Sequence, residues 1–170
     1  ICYGHGVQSK PIEISVEIPA GIDAGHRLRV AGEGEPSLEG GPRGDLYCDV
    51  QLVEDDRFDR QGDDLHSVLA ISFPEAALGS TRQVATLDGT IELTIPQGSE
   101  TGDVLRRRGD GMPRLKNQGR GDLLVTLRVE TPKNLTDEQR ELLSQLAKTL
   151  GAEVSSPKKR KSGFFTRSKK

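Results

Sequence analysis

The sequence predicts a mainly β protein: two tandem, similar β-sandwich-like domains, then a C-terminal helix and a disordered basic tail. Three observations predict it. A long segment recurs at a fixed offset. Apolar residues alternate through short runs bounded by Gly and Pro. One capped, leucine-striped stretch follows the last of these runs.

The repeat is the most informative of the three. Ile18-Pro-Ala-Gly-Ile-Asp-Ala-Gly-His-Arg-Leu-Arg returns 77 residues later as Ile95-Pro-Gln-Gly-Ser-Glu-Thr-Gly-Asp-Val-Leu-Arg. The offset holds without a gap through Gly32/Gly109, Gly34/Gly111 and Pro36/Pro113, to Gly44-Asp45-Leu46 against Gly121-Asp122-Leu123. The matched residues are mostly Gly, Pro and aliphatics, which fix turns and core faces rather than reactive groups. Each unit reads as strand, Pro-Gly turn, short strand, Gly-rich loop, long strand.

In the first unit the strands are expected at Ile12–Ile18, His26–Ala31 and Asp45–Val53. In the second they are expected at Thr90–Ile95, Val104–Arg107 and Asp122–Val129. Ile12, Ile14, Val16 and Ile18 alternate with polar residues, as do Ile91, Leu93 and Ile95. That period marks strands with one buried face. Between the units, Asp64–Phe73 reads as the opening strand of the second domain. Pro74–Leu78 reads as one helical turn closed by Gly79. Leu87-Asp88-Gly89-Thr90 is a turn after Arg82–Thr86. The polar stretch Glu54–Asp64 reads as the link.

Thr136 is a natural N-cap, and Gln139 completes a capping box. Leu142, Leu143, Leu146 and Leu150 then recur at helical spacing, and Gly151 suits the stop. Beyond it, 152–170 has little to bury and is expected to be disordered.

Composition narrows the function classes. Hydrophobic residues are 33% of 170 and aromatics 4%, with no Trp, which suits small β-domains better than one large core. The net charge is −2, unevenly spread. Pro157 to Lys170 holds seven basic residues and no acid, leaving 17 basic against 26 acidic residues before it. An acidic body repels nucleic-acid phosphate. Cys2 and Cys48 make no disulfide framework, which points to a reducing, cytoplasmic setting. No apolar run reaches the roughly 18–20 residues of a membrane helix, and the first residues resemble no signal peptide. No nucleophile elbow, phosphate loop or metal-ligand spacing is present. His5, His26 and His66 are scattered, so no catalytic residue and no enzyme activity are expected.

The start Cys2-Tyr3-Gly4-His5-Gly6, the duplicated Ile-Pro-x-Gly unit, and the capped helix after Thr131-Pro-Lys-Asn-Leu135 together resemble the C-terminal half of bacterial DnaJ-type co-chaperones. The resemblance runs from about Cys2 to Leu150. It implies the end of a zinc-region repeat at 1–9 and an incomplete, client-binding C-terminal domain I at 10–58. C-terminal domain II follows at 59–133, a dimerisation helix at 134–151 and the basic tail at 152–170. It also implies that the chain begins mid-protein, an expectation to which the lack of Met at position 1 adds.

The resemblance implies a module that holds unfolded or hydrophobic client polypeptides for a DnaK-type ATPase. That ATPase would be engaged mainly through a J-domain absent here. No specific nucleic acid and no membrane are implied. Ile14 and Cys48 match client-pocket positions, with Val16 on the face of Ile14; read from the residues alone, all three serve equally as ordinary core. Cys2 matches a zinc ligand, so zinc is implied in the intact parent and none in this fragment, where one thiolate cannot hold it. The leucine stripe is a dimer seam or a helix packed on its own domain, and the resemblance favours a homodimer. The alternative function is a structural dimerisation module whose basic tail recruits nucleic acid or another anionic partner. Pro157-Lys-Lys-Arg-Lys161 also matches a nuclear-import pattern, though a solvated tail fits a bacterial-type protein better.

Overall fold

Alternating side chains set the strands of this computed structural model, which describes residues 11–37, 40–115 and 119–154. The end of the zinc-region repeat with Cys2, and most of the basic tail, lie outside the described residues. The chain divides between Glu130 and Thr131 into two compact units.

The first unit is mainly β and holds three sheets among the described residues. Strands β1 (Arg27–Val30) and β2 (Leu46–Asp49) form an antiparallel ribbon. Strands β3 (Asp59–Gln61) and β4 (Asp64–Ser72) form a hairpin. A short helix α1 (Phe73–Leu78) follows, then the hairpin of β5 (Ser80–Thr86) and β6 (Gly89–Ile95). Strands β7 (Val104–Arg107) and β8 (Leu123–Glu130) complete a four-stranded sheet in the order β3-β4-β8-β7. β8 runs antiparallel to β7 but parallel to β4, with Leu65 opposite Leu123 and Ile71 opposite Val129.

The core lies between this sheet and the β5–β6 hairpin. Leu123, Val125 and Leu127 alternate along β8 and are fully buried. The first two meet Leu65, Val84 and Leu93; Leu127 meets Ile71, Ala76 and Ile95. Each such aliphatic side chain contributes roughly 1.5–3 kcal/mol of transfer free energy. Helix α1 starts where sequence chemistry places it. The Glu75 carboxylate accepts from the Ser72 N–H at 2.8 Å and from its hydroxyl at 2.7 Å, and Pro74 lies in the first turn.

The repeat is reproduced bond for bond. The β1–β2 register pairs Leu28 with Cys48, and the β7–β8 register pairs Leu105 with Val125, each 77 residues on. Gly34 N–H donates to Gly44 O at 2.8 Å, and Gly111 N–H to Gly121 O at 2.9 Å. Val50 N–H donates to His26 O, and Leu127 N–H to Asp103 O. Gly32 and Gly109, at φ 73° and 79°, turn their N–H groups onto the carboxylates of Asp45 and Asp122. Only glycine takes that backbone conformation without strain.

Three expectations are corrected. Ile12–Ile18 forms no strand. Its repeat-equivalent, β6, is paired by β5, whereas no described strand lies beside 12–18. A strand needs a partner for its backbone groups, and alternation alone does not supply one. The expected strand Asp45–Val53 stops at Asp49 for the same reason, so the first repeat is a two-stranded ribbon and not a sandwich among the described residues. The polar stretch 54–64 is not only a link. It contains β3, which turns at Gly62 into β4.

That hairpin also fastens the two repeats together. Arg60 extends its guanidinium to Gly21 O at 2.9 Å, Ile22 O at 2.8 Å and Gly62 O at 2.8 Å. Three carbonyls thus share one cation whose side chain is only 16% exposed.

The second unit contains helix α2 (Asp137–Thr149). Its capping box is the one expected. Thr136 Oγ1 accepts from Gln139 N–H at 3.2 Å, and Gln139 Oε1 accepts from Thr136 N–H at 2.9 Å. Leu150 caps the end through Leu146 O, and Gly151 follows at φ 68°.

Candidate functional site

β4 is only half covered along one edge. β3 pairs with Asp64–His66 and no further, so among the described residues Ser67–Ser72 has β8 on one side and no strand on the other. Among the described residues β5 pairs with β6 alone. Between these two edges lies a cleft of about 630 Å³. Ser67, Val68 and Leu69 line it from β4, and Gln83, Val84 and Ala85 from β5. Phe58 and the acidic segment before β3 complete the wall.

The apolar side chains are there because of sheet periodicity. Val84 points into the core and is buried, while Val68 points out and is 62% exposed. Ser67 adds a polar feature. Its Oγ is buried and hydrogen-bonds to none of the described residues. Such a group costs on the order of 1–3 kcal/mol while it stays unpaired.

The segment before β3 is ordered by one residue pair. Arg57 grips Asp55 through Nε at 3.0 Å and a terminal nitrogen at 2.7 Å, and its N–H donates to the same carboxylate. These bonds hold the Asp55 carboxyl down at about 2. The guanidinium also lies 5.2 Å from the centre of the Phe58 ring, a cation–π distance.

Ile14 and Val16 are half-buried, between exposed Glu13, Ser15 and Glu17. Cys48 is half-buried on β2, opposite Leu28, with a free thiol. Their repeat-equivalents are Ile91, Leu93 and Val125, which all belong to one core cluster. The repeat therefore assigns the three to one face, over which no covering strand lies among the described residues. Leu142, Leu143, Leu146 and Leu150 are 59%, 37%, 40% and 70% exposed, and α2 buries none of its residues. Among the described residues no cluster of three or more His, Cys, Asp or Glu could hold a metal ion. No described helix is long and apolar enough to cross a membrane.

The groove on β4 and β5 was not singled out in the sequence. Its residues alternate like any other strand positions, and alternation does not say which edge is left unpaired. Phe58 was the one available signal, an aromatic isolated in an acidic stretch that would otherwise be solvated.

A mainly β chain with a duplicated ribbon, a strand edge unpaired among the described residues and a groove beside it defines a class of β-ribbon module. Comparison with known proteins makes this specific. The model of the DnaJ C terminal domain matches residues 5–132, and the chain belongs to that family. It is 47% identical over 153 residues to the chaperone protein DnaJ of Halorubrum lacusprofundi, covering 90% of this chain and 40% of the relative. It is 49% identical over 146 residues to the DnaJ of Rhodopirellula baltica, covering 86% and 37%. It is 40% identical over 168 residues to that of Streptococcus agalactiae, covering 99% and 44%. The chain thus spans about two-fifths of the length of these relatives.

Proposed function

We propose that this chain is the client-holding part of a co-chaperone, which keeps unfolded polypeptide extended for transfer to a DnaK-type ATPase. The observation that carries this reading is the unpaired edge of β4 beside an apolar groove. An extended client donates and accepts main-chain hydrogen bonds along such an edge, and an apolar side chain drops into the groove. Main-chain recognition is blind to sequence, which suits a protein that meets many clients.

The face carrying Ile14, Val16 and Cys48 is a second apolar surface in this proposal. It sits on the first repeat, and a covering strand or a client closes it in the way β5 and β4 close its equivalent. The division into C-terminal domain I at 10–58 and domain II at 59–133 belongs to the same reading. So does a homodimer seam at Leu142, Leu143 and Leu146 of α2 and Leu150 at its cap, whose exposed side chains call for cover. Zinc, with Cys2 as one ligand, belongs to the longer parent.

The test is suppression of aggregation of a chemically denatured reporter by the full-length parent. Val68→Glu places a charge in the groove at an exposed position, and Ile14→Ser weakens the other face. At least a threefold loss of suppression is expected from Val68→Glu. If neither substitution changes suppression, the client sites lie elsewhere. Light scattering of Leu142→Ser/Leu146→Ser addresses the seam, and an unchanged mass removes α2 from the dimer.

A further inference from the structure

The groove wall is charged on one side only. Glu54, Asp55, Asp56 and Asp59 line it, and Arg57 is the single Lys or Arg among its lining residues. Arg57 is committed to Asp55 by the two side-chain bonds described above. Glu54, Asp56 and Asp59 are exposed, and none of them forms an ion pair with a described residue. Asp59 accepts only from the neutral Gln61 amide at 3.1 Å. Three uncompensated carboxylates therefore stand beside an apolar slot.

We propose that this groove selects among extended polypeptides by charge, taking segments whose apolar anchor is flanked by Lys or Arg and rejecting those flanked by Asp or Glu. This rests on the reading of the groove as a client site and names the class of client. The anchor enters beside Phe58 and Val68, which line the groove. The strand edge of β4 fixes the main chain, which leaves the flanking side chains in reach of the acidic wall. A cationic flank gains there, and an anionic flank meets like charge with no counter-ion at hand. Such wrong-partner repulsion adds to the attraction as a source of discrimination at interfaces. The carboxylates are solvent-exposed, so the preference is screened by salt on the scale of a Debye length, about 8 Å at physiological ionic strength.

The experiment uses the full chain and two fluorescent nonapeptides. Both carry the same central Leu-Phe-Leu core, one with Lys flanks and one with Glu flanks. Affinities are read by anisotropy at 50 mM and 500 mM NaCl. The Lys peptide is expected to bind about tenfold tighter at low salt, with the gap falling to about twofold at high salt. In Glu54→Gln/Asp56→Asn/Asp59→Asn the gap closes while binding of the Lys peptide at high salt is kept. Val68→Glu identifies the place, because it weakens both peptides at high salt, where charge is screened. Equal affinity of the two peptides with sensitivity to Val68→Glu overturns the charge selection and leaves the client groove standing. Binding of both peptides unaffected by Val68→Glu overturns the groove itself. A persistent tenfold gap in the triple variant overturns the assignment to these three carboxylates.

Discussion

The two repeats share a backbone and differ in what covers them. β1–β2 and β7–β8 have the same register, the same glycine-to-glycine hydrogen bond and the same carboxylate on a glycine N–H. Yet Leu123 and Val125 are fully buried, while their equivalents Leu46 and Cys48 are half-buried. The difference is the company each ribbon keeps. β8 has β4 along its second edge and the β5–β6 hairpin on its face. β2 has neither among the described residues. A loop–ribbon motif thus forms from its own hydrogen bonds, whereas a core forms only where other strands close over it. The chain carries one closed and one open version of the same motif.

The hardest way to break this comparison is at a glycine. A Cβ on Gly121 would stand 1.9 Å from Asp63 O, against the hairpin that joins β3 to β4. A Cβ on its equivalent Gly44 would have its nearest neighbour, Glu35 O, at 3.8 Å. Gly121→Ala is expected to cost at least about 4 kcal/mol, since a backbone oxygen must move, and Gly44→Ala under about 1 kcal/mol. Urea unfolding followed by circular dichroism measures both. Similar midpoints for the two variants would mean that the repeats are equally enclosed.

The next contrast uses one substitution twice. Leu123→Ala empties a closed core and is expected to cost about 3–4 kcal/mol, while Leu46→Ala costs about 1 kcal/mol. Covering the first repeat with a bound client or a longer chain should raise the second figure towards the first. The pair therefore also reports whether the open face has been filled.

The smallest contrast is in acid. Asp122 is pulled below its usual carboxylate value, first by the Gly109 N–H and then by Arg106. A depressed native value means that Asp122 adds its full stabilisation above the unfolded value of about 3.9. That stabilisation is lost as the pH falls through the lower native value. Asp122→Asn should flatten the fall in stability below pH 4 without changing its sign. Thermal melts at pH 3 and pH 6 give the slope. An unchanged slope would assign the acid sensitivity elsewhere, with Asp55, held at about 2 by Arg57, as the next residue to test.

Much of this was legible in the residues. Thr136 and Gln139 specify the start of α2 because a capping box is satisfied within four residues. Gly32, Gly34 and Gly44 specify the ribbon loop because their hydrogen bonds close within thirteen residues at most. The 77-residue offset carried that information to the second copy intact. The candidate site was only half legible. Ile14, Val16 and Cys48 could be grouped by the repeat, but no local feature distinguishes a covered strand from an open one. Ile12–Ile18 shows the cost of that ambiguity, since it alternates as well as β6 does and still forms no strand.

By itself, then, the sequence determined the mainly β class, the duplicated ribbon with its turns, the helix with its caps, and the charge imbalance between body and tail. All depend on bonds or periods that span a few residues. The tertiary structure decided which ribbon is closed, that 54–64 supplies β3 and the Arg60 clasp, and that β4 and β5 leave an acidic-walled groove between them. Those depend on which distant strands meet. Strand pairing is a contact between remote segments, and neither segment records in its own pattern whether the other arrives.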